Sequence, residues 1–337
     1  MSEENPKLKM DASLMNDLDR RRRFWVSYGM IIVVIGVGVY LLATIERLKF
    51  EWHRQEDSKV FIYTSQDQVY AEPILKEFEQ QTGIEVRAVY DSESVKTVGL
   101  VNRLIAEKDW PHGDFFWNNE ELRTRQLAAM GVLEKWAAVG HRSRRIAVNT
   151  NKLALATAPL SLIELTNEAW RGKVALAYPL FGTTATHFLA LRQSWGDARW
   201  QDWCRALAAN KPFLVDGNSV AARLVAKGEA WIGLTDSDDI AAEQREGAPL
   251  VSLPLADASL LIPNTVAVVR GARHSQAAGK LYDYLQRPDV LEKLVGANAL
   301  EGVSPPIGPS ATLKPDWDKL LAELEVGTSE LKRIFLR

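Results

Sequence analysis

Three carboxylates fall within four residues at Asp236, Asp238 and Asp239, directly after the apolar run 231–234 and Thr235. The run reads as a buried strand, so the acids sit where a strand gives way to a loop. Charge held there is costly unless something neutralises it. Two chemistries suit the pattern. Carboxylates are oxygen ligands for hard cations, and Asp is also a preferred helix cap, able to bind the free N–H groups of the helix that follows. Ligands in open α/β sheets bind at the carboxyl ends of strands, so binding and helix capping both stay open for these three acids.

Other candidates lie at equivalent places. Residues 59–63 read as a strand, and Ser65 and Asp67 follow it in a polar turn. A helical period over 69–82 stops at Gly83, and 84–90 is the next strand, so the unit is strand, helix, strand, as in a parallel sheet. The strand 113–117 ends in Asn118, Asn119 and Glu120 ahead of a helix over 121–130. Gly182, Thr183 and Thr184 open one helix after the strand 174–177, and Asn218 and Ser219 open another over 220–227. Small polar residues at a helix start leave backbone N–H groups aimed at whatever binds there, or they cap the helix. Arg142 to Arg145 precede a short strand over 146–149, and 262–269 is strand-like. Helices are expected over 97–108, 197–209, 276–285, 289–296 and 316–324, with a rigid turn at 304–308.

The elements that position these residues need two domains, since 337 residues exceed one small core. Hydrophobic residues at 47% and charged residues at 25% fit a folded chain, and a net charge of -2 gives no nucleic-acid footprint. The single cysteine, Cys204, rules out an intrachain disulfide. None of the five histidines shows metal-ligand spacing; His187, a turn beyond Thr183, is the one that can face a cleft. Trp195, Trp200 and Trp203 are read as core. With no Ser–His–Asp set, paired histidines or phosphate loop, an enzyme is not expected.

The N-terminus sets the expected compartment. Residues 1–19 read as a polar, disordered tail, completing with Arg20 to Arg23 a cytoplasmic segment over 1–23. Residues 24–45 carry no charge, enough for a membrane-spanning helix. The arginines predict an N-terminus in the cytoplasm and export of the rest, after a charged linker over 46–58.

The order of these pieces resembles the solute-binding proteins of ABC transporters, in the ferric-iron-binding branch of the type 2 periplasmic-binding fold. The likeness is carried by 61–65 with Phe78, Thr82 and Gly83, by 113–120 with 131–133, by Arg142, Ser143, Arg144, Arg145 and Asn149, and by 228–234. It implies an α/β, two-lobed architecture with a cleft between lobes, lobe 1 spanning 58–148 plus 264–337 and lobe 2 spanning 149–263. It implies capture of a metal ion by hinge closure, a permease and its ATPase as partners, and a binding domain outside the cytoplasmic membrane. A bound metal would be transported solute rather than obligatory cofactor. Asp67 falls where relatives carry a histidine, and Asp238 and Asp239 fall where they carry paired tyrosines, a departure that loosens the link to iron. The anion-holding arginine corresponds to Arg145 or Arg144. An organic cation, a small phosphorylated anion, or a membrane-tethered sensor role is the alternative.

Overall fold

The computed structural model describes residues 6–56, 58–90, 98–256, 258–304 and 313–336. It divides into two compact units, Met1–Glu56 and Asp57–Arg337.

The first unit is one helix, α1 (Pro6–Glu56). Residues 6–19 are therefore helical, not a disordered tail; Leu, Met, Ala, Lys and Asp are compatible with a helix, and Asp17 and Arg21 pair one turn apart at 3.6 Å. The expected membrane-spanning helix over 24–45 finds no support in the described residues. Among the described residues no helix is long and apolar enough to cross a membrane. The side chains at 26, 27, 29 and 31–34 lie outside the described residues, and what remains of the stretch is interrupted by Trp25, Tyr28, Gly36, Gly38 and Tyr40.

The second unit is an α/β body. It opens with β1 (Lys59–Thr64), α2 (Gln68–Thr82), β2 (Glu85–Tyr90), α3 (Val98–Ala106), β3 (Phe115–Asn118), α4 (Glu121–Ala129) and β4 (Leu133–Asn149). Then come β5 (Val174–Ala177), α5 (Gly182–Trp195), α6 (Asp197–Ala209), β6 (Phe213–Val215), α7 (Asn218–Ala226), β7 (Ile232–Asp236), α8 (Ser237–Arg245) and β8 (Leu250–Pro254). The chain closes with β9 (Leu261–Val269), α9 (Ser275–Leu285), α10 (Pro288–Gly296) and α11 (Trp317–Phe335). The turn expected at 304–308 lies, from 305 onward, outside the described residues.

Strand order is β2-β1-β3-β9-β4-β7-β5-β6, with β8 also on β4. The long strand β4 joins the two halves of this path. Its residues 133–143 pair antiparallel with β9, and from Arg144 onward it pairs with β7 and β8 instead. The first half buries a core of Val60, Ile62, Phe78, Phe115 and Leu281. The second buries Ile146, Leu176, Phe188, Trp200 and Trp203, with Cys204 among them. Helix α11 touches both sides: Leu331 and Phe335 enter the second core, while Leu320 and Leu324 pack with Leu122 of α4 and Leu189 of α5.

Candidate functional site

Alternation along β4 decides which basic residues reach the acids, because successive side chains point to opposite faces. Arg142 and Arg144 point one way and are 2% and 0% exposed. Arg145 points the other way, half-buried, and pairs with Glu301 at 3.1 Å. It is not gathered with the acids, so the arginines that meet them are Arg144 and Arg142, the second not singled out from the sequence as a site residue.

Asp236 ends β7 and stands at the N-cap position of α8, yet its side chain makes no cap hydrogen bond. Instead it accepts from Arg144 Nη1 at 2.6 Å and Thr183 Oγ1 at 2.6 Å, pairs with Arg142 Nη2 at 3.3 Å, and accepts from Asn218 Nδ2 at 3.2 Å. Burial opposes its charge, but Arg144 and Arg142, with Thr183, outweigh that and hold its carboxyl below the usual range.

Asp238 and Asp239 occupy the first turn of α8, where the helix dipole favours negative charge. Asp238 pairs with Arg142, and its Oδ1 has no hydrogen-bond partner among the described residues. Asp239 accepts from Thr235 Oγ1 at 3.1 Å. Burial, with Arg142 opposing and Asp236 and Asp67 adding like charge, pushes Asp238 up to about 6. Burial and then Asp238, Asp236 and Asp67 raise Asp239 well above its ordinary value. Three buried carboxyls thus share two buried guanidiniums, and the two on α8 hold their protons more tightly than an ordinary carboxyl does.

One oxygen from each of Asp236, Asp238 and Asp239 lies within 4.8 Å of the others. Metal–oxygen bonds of about 2.0–2.6 Å place ligand oxygens on opposite sides of an ion up to about 5 Å apart, so the spacing fits. The unsatisfied Oδ1 of Asp238 fits too, since a buried carboxylate oxygen without a donor is costly.

The remaining candidates divide into those near the acids and those bound elsewhere. Thr183 touches Asp236 directly, and Thr184 donates to Asn218 Oδ1 at 3.0 Å, an atom that also accepts from Arg144 at 3.0 Å. Gly182 and Asn218 open α5 and α7, and neither helix has a side-chain cap at its start. A cleft between them is lined by Asn119, Tyr178, Gly182, Thr183, Gly217 and Asn218. Ser219 follows in the first turn of α7. Asp67, half-buried at the N-cap of α2, makes no side-chain cap bond, and its charge is felt at Asp238 and Asp239.

Ser65 donates to Asn118 Oδ1 at 2.6 Å, while Asn118 donates to Thr124 Oγ1 at 3.0 Å, so both are spent inside one buried network. Glu120 caps α4, accepting from Leu122 N at 2.8 Å and Arg123 N at 3.0 Å, and takes Thr186 Oγ1 at 3.2 Å. His187 is fully buried and its Nε2 meets Ala258 O at 2.7 Å, so it does not line the cleft.

The model of the bacterial extracellular solute-binding protein family matches residues 59–295, well over half the chain. The chain belongs to this family. Relatives of this solute-binding protein include the major ferric iron-binding protein of Neisseria gonorrhoeae, 22% identical over 284 residues, covering 76% of this chain and 84% of that one. Its fold matches iron-bound HitA from Pseudomonas aeruginosa with a TM-score of 0.69 at 18% identity, over 82% of this chain and 99% of that one. It also matches AfuA from Actinobacillus pleuropneumoniae with exogenous fructose-6-phosphate bound, TM-score 0.68 at 21% identity, over 82% and 96%. The two-lobed periplasmic-binding architecture expected from the sequence is therefore the fold of this chain.

Proposed function

We propose that this solute-binding protein captures a hard metal cation, iron or an ion of similar hardness, outside the cytoplasm and delivers it to an ABC permease and its ATPase. The observation that carries the reading is the buried Asp236, Asp238 and Asp239 cluster, its oxygens within 4.8 Å of one another and one of them unsatisfied. The raised carboxyls of Asp238 and Asp239 support it, because a cation can take the place of the protons that Arg142 and Arg144 leave the cluster to hold. Ferric-binding relatives support it from outside the chain.

In this reading the lobes expected as 58–148 plus 264–337 and 149–263 divide instead near Ser143, and the end of α11 packs with the second lobe. They close about β4 and β9, with β4 changing partners near Ser143. A phosphorylated anion is the second reading, favoured by the uncapped starts of α5 and α7 around one cleft.

The test is stabilisation by the solute. Fe³⁺ or Mn²⁺ at a hundred times its dissociation constant should stabilise the wild type by about 2.7 kcal/mol. Asp238→Asn combined with Asp239→Asn should remove that gain, whatever the variant's own unfolding temperature without metal. Equal metal stabilisation of both proteins would refute the assignment.

A further inference from the structure

Helix α8 carries the acids in its first turn and Arg245 in its last. Arg245 Nη1 donates to Ala297 O at 2.6 Å, the C-cap of α10, and Arg245 Nη2 donates to the Tyr70 hydroxyl at 2.8 Å. Tyr70, buried on α2, donates in turn to the main-chain oxygen of Asp238 at 3.2 Å. The guanidinium also lies 5.2 Å from the centre of the Tyr70 ring. Tyr70 and Ala297 pack in or against the core formed with β1 and β3, whereas Ile240 of α8 packs in a separate core with Ala147 and Ala175. One exposed arginine and one buried hydroxyl therefore tie the two halves of the body together, and one of the bonds ends on the backbone of an acid at the site.

We propose that Arg245 and Tyr70 form a latch that holds the halves closed over the acid cluster, making them positioning residues for solute retention. The contact at the Asp238 carbonyl fixes the first turn of α8 whenever the halves meet. The part of this inference concerning retention rests on Asp238 and Asp239 as solute ligands; the part concerning closure does not. Arg245 donating to the Ala297 carbonyl and to Tyr70, which donates on to the Asp238 carbonyl, suits a contact that forms and breaks without leaving a buried charge unpaired, because Arg245 returns to water when it opens.

The experiment uses the full chain with Arg245→Ala, Tyr70→Phe and Arg245→Lys. Hydrogen exchange is followed without metal, and release of Fe³⁺ is followed after adding excess chelator. Loss of the latch should speed exchange in 237–240 and 297–300 by about fivefold, with β1 and β3 unchanged. Fe³⁺ release should quicken by a similar factor while association stays the same, and Arg245→Lys should recover part of the loss. Exchange at wild-type rates in both regions of Arg245→Ala and Tyr70→Phe would overturn the latch, as would equal acceleration throughout the body. If the wild type takes up no Fe³⁺, the metal reading fails by itself, and exchange alone still decides the latch.

Discussion

Arg142 is tolerated beneath the surface because Asp236 and Asp238 face it: burial works against its charge, and those acids with Asp239 raise its affinity for the proton. Removing one partner of such a group leaves the others uncompensated, typically costing about 3–5 kcal/mol. Arg142→Ala should therefore lower stability by about 3 kcal/mol in urea titrations, and a hard cation should restore part of it by taking over the carboxylates. His187 supplies a separate pH effect. Burial first, then the Arg144 charge, push its imidazole down to about 3. The unfolded chain binds a proton at His187 below about pH 6.5, and the folded chain does not until about pH 3, so stability falls as pH drops through that window, by up to about 1.4 kcal/mol per unit. The raised carboxyls of Asp238 and Asp239 act oppositely, losing stability as pH rises through their window. His187→Gln, which can keep a donor toward Ala258, should flatten the His187 contribution; urea midpoints at pH 7 and pH 5 for both proteins isolate it. The three acids were legible in the sequence, being close in the chain. Arg142 was not, because its relevance depends on strand alternation placing it beside Arg144 and opposite to Arg145.

At the scale of elements, β4 separates what the sequence shows from what only the fold shows. Strands such as β1 and β5 are apolar runs bounded by turn residues, and helices such as α2 and α9 carry a clear period, so both kinds were readable. β4 runs for 17 residues, but only its last four were anticipated. Glu134, Lys135, Arg142, Arg144 and Arg145 interrupt its apolar pattern, and their partners come from distant parts of the chain. The short edge strand β6 and the half-exposed β8 were missed for a related reason: three and five residues carry little pattern. Gly140 marks the irregularity in β4 between Ala138 and His141. Its φ is +76°, and a Cβ there would lie 2.9 Å from the Gly302 carbonyl oxygen and 2.7 Å from a Leu300 methyl. Gly140→Ala should cost about 2–3 kcal/mol in chemical denaturation, from left-handed strain plus a backbone clash. A cost under about 0.5 kcal/mol would show that this crossing of the two halves relaxes easily.

The α/β body places the starts of α5 and α7 around one cleft with Asn119, which follows β3, and Asp236, at the start of α8, is bonded to Thr183 and Asn218 of that cleft. The long strand β4 joins the two halves, pairing with β9 in one and with β7 and β8 in the other. The fold could be inferred from the order of blocks along the chain, while the solute could not, because Asp238 and Asp239 stand where the resemblance implies tyrosines. Both are buried carboxyls with raised proton affinity, and Asp238 Oδ1 has no partner among the described residues. The most direct test is native mass spectrometry with elemental analysis of the full chain purified without chelator. One hard cation per chain is expected in the wild type and none in the Asp238→Asn, Asp239→Asn double variant. An organic or phosphorylated ligand in the wild type, or equal metal content in both proteins, would contradict it.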